Sequence, residues 1–208
     1  ELPQGMVFGS EIKALLLDLD DTLLINDMEA FMPRYLEALL AKVEGLCPRG
    51  LFLEALGAGM RAVSANDGTG GTNEEVFYRR FFSLLDVPRE GFKRLLREFY
   101  EKGFEQLKEH TEPDPNARPL VQFAFDHGYQ VAIATQPLFP GAAILARLRW
   151  AGVSADEFHY DYIACLEDMG VSKPNPRYFR TIIDALGRAP EECLMVGDSA
   201  SSDMPASR

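Results

Sequence analysis

The 208-residue chain is 47% apolar and 25% charged, the composition of an ordinary globular protein, and is long enough for one domain with a large insertion or for two small ones. Its net charge of −11 at pH 7 creates a field that repels nucleic acid and anionic membranes, which argues against both as partners. A small anionic ligand stays compatible with that field, because one metal ion and one lysine can reverse the potential locally.

The first nine residues, beginning Glu-Leu-Pro-Gln-Gly, read as a poorly ordered leader without the layout of a signal peptide. From Ile12 to Leu19 the chain is nearly continuous apolar, which predicts a strand buried on both faces of a parallel sheet. That run ends in Asp18, Asp20 and Asp21, followed by Thr22. From 26 to 116 helical periodicity takes over. Phe31, Tyr35, Leu36, Leu39, Leu40 and Val43 form one apolar stripe, and Leu51, Leu53, Leu56, Met60 and Val63 a second. Thr72 with Glu75 has the spacing of a capping box and opens a third helix. A fourth, after Pro88, carries Phe92, Leu95, Leu96, Phe99, Phe104 and Leu107. The aromatic residues of these helices are assigned to a hydrophobic core, and the segment Asn66 to Gly71 to a flexible connector.

After a turn-rich exit at Glu112 to Asn116, strands and helices alternate. The periodicity predicts a helix from Pro119 to His127, a strand from Tyr129 to Thr135, helices from Gly141 to Ala151 and from Pro176 to Leu186, and a strand from Glu192 to Val196. Gly128, Gly152 and Gly187 stand where helix stops belong. Alternation of this kind indicates an α/β fold with a Rossmann-like parallel sheet. The expected division is a discontinuous core over 1–25 and 117–208, and a helical cap over 26–116 inserted after the first strand.

Ligands of an open parallel sheet bind beyond the carboxyl ends of its strands. Asp18, Asp20, Thr135 and Asp198 all fall at or just after such ends. Asp18 and Asp20 are two residues apart and share a face on an extended strand, so one can attack while the other moves protons. Crowded carboxylates call for a cation, and oxygen ligands with a phosphate substrate favour Mg²⁺. Lys173 can hold Asp18 ionised and bind a phosphoryl oxygen. Taken singly, each residue also has an ordinary reading: acids capping a turn, a solvated lysine in a loop, a threonine at a strand end. Arg34, Arg49, Arg61, Arg79 and Arg80 read as solvated helix faces, and His110, His127 and His159 as structural. Cys47, Cys165 and Cys193 lack metal-type spacing and read as free thiols of a reducing compartment, so the expected location is the cytoplasm.

In this order the motifs resemble those of the haloacid dehalogenase-like hydrolase superfamily, over nearly the whole chain. Its D-x-D-x-T motif is similar to Asp18, Asp20 and Thr22; its strand-terminal threonine to Thr135; its lysine before proline to Lys173-Pro174; its late acidic pair to Asp198 and Asp203. The resemblance implies a phosphatase with Asp18 as nucleophile and Asp20 as general acid and base. It also implies phosphate binding by Thr135 and Lys173, and Mg²⁺ held by the Asp18 carboxylate, the Asp20 backbone carbonyl and Asp198. Asp203 would act through water or as a brace. Asp20 favours a phosphatase over the dehalogenases of the same superfamily, which lack this second aspartate. The chain departs from the pattern at Gln136, where asparagine or glycine is frequent. It also departs at its end, since a core of this type is expected to continue through another strand and helix after Asp203. The implied partner is a small phosphorylated metabolite. A phosphomutase of the same superfamily and a non-catalytic phosphoacceptor or binding module are the alternatives.

Overall fold

A computed structural model of the protein describes residues 11–207; the expected leader lies outside the described residues. The chain runs through β1 (Ala14–Leu17) and β2 (Leu24–Ile25), then α1 (Met28–Lys42), α2 (Arg49–Ser64), α3 (Asn73–Phe81) and α4 (Arg89–Glu98), and returns through β3 (Glu112–Pro113). It continues with α5 (Ala117–Asp126), β4 (Gln130–Ile133), α6 (Gly141–Trp150), β5 (Tyr162–Ile163), α7 (Pro176–Leu186) and β6 (Cys193–Val196).

β1 is apolar throughout because the sheet is covered on both sides. It lies inside a parallel sheet of order β5-β4-β1-β6. Side chains alternate across a strand, so Leu15 and Leu17 join one core with Val121, Ile133 and Ile144, while Ala14 and Leu16 join another with Tyr178, Ile182 and Leu186. The fold is α/β, a Rossmann-like parallel sheet with a helical cap inserted after its first strand. The glycines at 128, 152 and 187 have positive φ at the expected helix stops. β5 was not foreseen; two half-buried residues give no periodicity to read.

The two chain crossings between sheet and helices are tied by an antiparallel ribbon, β2 with β3, where the sequence suggested no strand. The capping box of α3 forms as predicted, with Thr72 Oγ1 accepting from Glu75 N and Glu75 Oε2 accepting from Thr72 N. On α2 the buried face centres on Phe52, Ala55, Gly59 and Val63; of the expected stripe Val63 is buried, Leu51, Leu56 and Met60 are half-buried, and Leu53 is exposed. Gly59 sets this face, because a Cβ there would stand 2.7 Å from the Phe77 ring on α3. The fourth helix breaks at Phe99 into a wide turn in which Phe104 N donates to Phe99 O, followed by a 3₁₀ segment. The wide turn puts residues five apart on one side, so Phe99 and Phe104 are both buried.

The segment 66–71, expected to be flexible, is pinned to the core. Asp67 bridges to Val171, Arg177 donates to Asp67 O at 2.9 Å, and Asn73 N donates to Met169 O at 2.7 Å. At the other end of the cap, Phe104 stacks on Trp150 of α6 at 5.1 Å. No helix among the described residues is long and apolar enough to cross a membrane.

Candidate active site

The site forms where β1, β4 and β6 end side by side. Parallel pairing sets Leu17 opposite Ile133 and Val196, so the residues leaving all three strands meet at one rim. Asp18 N donates to Val196 O at 2.9 Å and keeps Asp18 in line with β6. The chain then turns sharply. Leu23 N and Leu24 N both donate to Leu19 O at 2.9 Å, and Asp21 takes a left-handed conformation with φ 54°. The Asp21 carboxylate accepts from Asn26 N at 3.0 Å, so this acid shapes the turn. The Thr22 hydroxyl is buried without a hydrogen-bond partner among the described residues.

Lys173 is the electrostatic centre. Its ammonium donates to Asp18 Oδ1 at 2.8 Å and to Asp203 Oδ1 at 2.6 Å, with all three side chains buried. The second oxygen of Asp203 accepts from Ser199 N at 3.0 Å. Gly197 permits this seat, because a Cβ at that position would fall 2.3 Å from Asp203 Oδ2. Carboxylate oxygens of Asp18, Asp198 and Asp203 lie within 4.8 Å of one another, and Asp198 is exposed to solvent. Burial pushes the Asp18 carboxyl above its ordinary value, Lys173 pulls it back, and the charge of Asp203 adds to the rise.

Three carboxylates face one ammonium here, which leaves two negative charges without compensation when all are ionised. An oxygen-only donor set with that deficit fits a divalent cation of the magnesium type. The side chain of Asp20 stands outside this cluster. It pairs with the guanidinium of Arg147 and accepts from Asn26 Nδ2 at 3.1 Å. Thr135 is buried two residues past β4, and its carbonyl accepts from Tyr178 Oη at 2.6 Å.

Asn26 and Arg147 escaped the sequence analysis, and Gln136 stood out there only as a departure from the motif, without a role. Gln136 uses its side-chain amide as a clamp on the Lys173 backbone, accepting from Lys173 N at 3.0 Å and donating to Lys173 O at 3.2 Å. Asn26 is fully buried beside Asp20, and nothing in a turn sequence marks it. Arg147 did carry a signal: a cation on the apolar stripe that includes Ala143, Ile144 and Trp150. It is fully buried, lies over the Phe139 ring at 4.9 Å, and burial lowers its pKa to about 10. The arginines considered from sequence were those of the cap; the one at the site is on α6.

Comparison with known proteins gives a consistent family assignment. The profile of the haloacid dehalogenase-like hydrolases matches residues 12–208. A phosphoserine phosphatase of Thermus thermophilus is 29% identical over 217 residues, covering 95% of this chain and 85% of that protein. The pyrophosphatase PpaX of Halalkalibacterium halodurans is 27% identical, covering 91% of this chain and 76% of that protein. Among solved structures, a HAD phosphatase from Thermococcus onnurineus shares the fold with a TM-score of 0.53 and 24% identity, covering 94% of this chain and 82% of that one.

Proposed function

The chain belongs to the haloacid dehalogenase-like hydrolase family, and from that premise we propose that it is a Mg²⁺-dependent phosphatase that cleaves a small phosphomonoester through an aspartyl-phosphate. The observation that carries this reading is the buried Asp18–Lys173–Asp203 array with Asp198 beside it at the strand ends. The names of the relatives, phosphoserine phosphatase and pyrophosphatase, agree in phosphate chemistry and differ in substrate.

In this reading Lys173 holds Asp18 ionised and a carboxylate oxygen of Asp18 attacks phosphorus, so the bond to the leaving oxygen breaks as the Asp–phosphate bond forms. Lys173 and Thr135 neutralise and orient the equatorial phosphoryl oxygens. Asp20 gives a proton to the leaving oxygen, then takes one from the water that attacks the aspartyl-phosphate, releasing inorganic phosphate and restoring Asp18. Bound Mg²⁺, held by Asp18, the Asp20 carbonyl and Asp198, would supply charge stabilisation for the transferring group. Both oxygens of Asp203 are engaged by Lys173 and Ser199, which suits a brace better than a direct ligand.

Arg147 adds a constraint specific to this chain. It pairs with Asp20 and so occupies the carboxylate that must reach the leaving oxygen. To donate a proton, Asp20 exchanges Arg147 for the leaving oxygen. Arg147 is therefore a positioning residue in this reading. The division into a core over 1–25 and 117–208 and a cap over 26–116 belongs to the same proposal, with the β2–β3 ribbon as the joint between them.

The test is phosphate release from a panel of phosphomonoesters, with Mg²⁺ and with chelator, by the parent protein and by Asp18→Asn. The expected result is Mg²⁺-dependent release that Asp18→Asn abolishes while remaining folded. Equal release by parent and variant removes Asp18 as the nucleophile, and no release from any ester removes the phosphatase reading.

A further inference from the structure

Between the cap helices and the loop that follows β4 lies a cavity of about 330 Å³. Two of its walls belong to the chain segments that leave the site. Asn26, which donates to Asp20, also donates from the same nitrogen to Met28 Sδ at 3.3 Å, and Met28 begins the cavity wall formed by α1. On the opposite side Thr135 and Gln136 lead directly into Leu138, Phe139 and Pro140, which also line it. Phe139 carries Arg147 over its ring, and Arg147 pairs with Asp20. Two chains of contact, through Asn26 and through Arg147, therefore connect the cavity wall to Asp20, the residue assigned to protonate the leaving oxygen.

None of the lining residues carries a charge. Their polar atoms are tyrosine hydroxyls, and two of these, on Tyr35 and Tyr100, spend their bond on each other at 2.6 Å. Burial raises both phenols well above any physiological pH, so they stay neutral. A carboxylate, an amine or a ring of sugar hydroxyls would lose its water here and find almost nothing in return. An apolar group loses nothing and gains from burial. The volume is about twice that of a 150 Å³ apolar cavity that accepts benzene. Met28, Met32 and Met60 in the wall add adaptable side chains, which suits a range of apolar shapes. Met28 is exposed and Met32 and Met60 are half-buried, so solvent reaches this flank.

We infer that the preferred substrates are phosphomonoesters with an apolar leaving group, alkyl or aryl, seated between the cap and Phe139. This rests on the phosphatase reading for its chemistry. The alcohol R–OH departs with a proton from Asp20 as the phosphoryl group passes to Asp18, so the cavity needs to bind only R. The absence of charge also disfavours the mutase alternative, because a bisphosphate intermediate would set its second phosphate against this wall.

The experiment is a chain-length series of n-alkyl phosphates from methyl to decyl, compared with phosphoserine and glucose 6-phosphate. Complete burial of each methylene predicts a rise in kcat/KM of roughly fourfold per carbon, levelling once the cavity is full, with the two polar esters well below octyl phosphate. Met32→Trp, or Met60→Phe if that variant does not fold, is expected to compress the octyl-to-methyl ratio at least severalfold. A flat series, or a polar ester preferred over octyl phosphate, overturns the inference while leaving the phosphatase reading intact. Calorimetric binding of n-alkyl phosphonates to Asp18→Asn separates the two in the other direction. Affinity that grows with chain length, when the parent protein hydrolyses no ester, keeps the cavity assignment and removes the catalytic one.

Discussion

The rim of the sheet and the helical cap are packed on opposite terms. At the rim, charged and polar side chains are buried together: Asp18, Thr135, Lys173, Asp203 and, on the neighbouring helix, Arg147. The cap buries Phe31, Phe52, Phe81, Phe92, Phe99 and Phe104, and among its described helical residues Asn73 is the buried polar side chain, with its amide directed at Pro137 O of the core. Buried charge costs stability unless it is paired, whereas buried rings supply it. Chemistry is therefore concentrated where the fold is electrostatically expensive, and the cap contributes stability and shape. Mutations should divide along the same line, with activity lost at the rim and stability lost in the cap.

The largest effect belongs to the rim. Asp18→Asn should lower phosphatase kcat by about 10⁴-fold or more, with a thermal midpoint no lower than the parent's, because the substitution removes a buried charge. A folded variant with activity within tenfold of the parent would break the comparison. Phe104→Ala tests the other side. Its ring is fully buried against Trp150 and Phe31, and truncation should cost about 3–5 kcal/mol in chemical denaturation. Turnover by the fraction that remains folded should change far less than in Asp18→Asn.

Gly197→Ala should do some of both. The added methyl displaces Asp203 from its seat, which costs about 1–3 kcal/mol and loosens Lys173; a structure of the variant should show Asp203 moved. Gln136→Ala removes two hydrogen bonds to the Lys173 backbone. At about 1 kcal/mol for each bond, a loss of roughly 2 kcal/mol is expected, with KM or kcat impaired because Lys173 is less firmly held. Unchanged kinetics in Gln136→Ala would show that the loop seats Lys173 unaided.

The smallest effect is in pH dependence. The Asp18 carboxyl is raised from its ordinary value of 3.8 in the folded, metal-free protein. A carboxyl raised by folding stabilises the fold below its unfolded pKa, and that contribution is lost as pH rises through the folded value. Metal-free parent protein should therefore lose some stability with rising pH in a window that opens near 3.8 and extends upward. The loss should be absent in Asp18→Asn. Denaturation midpoints of the two proteins across that range give the comparison.

How much of this was legible in the sequence depended on whether the signal was local. The apolar run into Asp18 and Asp20 announced a two-faced strand and a polar rim, because parallel strands buried on both sides leave no polar alternation. The glycine helix stops and the Thr72 capping box were readable for the same reason, since each is a short-range backbone requirement. The centre of the α2 buried face was not, because it is decided by the contact of Gly59 with Phe77 across two helices. The break at Phe99 depended on which face Phe104 had to reach, and the connector 66–71 is fixed by partners about a hundred residues away. At the site, acids following apolar strands stood out by composition. Gln136 and Asn26 act through hydrogen bonds to distant or turn residues and have no spacing to betray them. Arg147 interrupts an apolar stripe and was detectable as a charge in the wrong place, though its partner Asp20 was not.

The central claim is that Asp18 carries the phosphoryl group between the two halves of the reaction. Acid-quenching the Mg²⁺-loaded protein during turnover of a phosphomonoester, reducing any acyl phosphate with borohydride and mapping the peptides by mass spectrometry tests it directly. The account predicts that the peptide containing Asp18 is labelled at that residue and that Asp20 is not. Rapid phosphate release with no label at Asp18, or a label elsewhere, would contradict it.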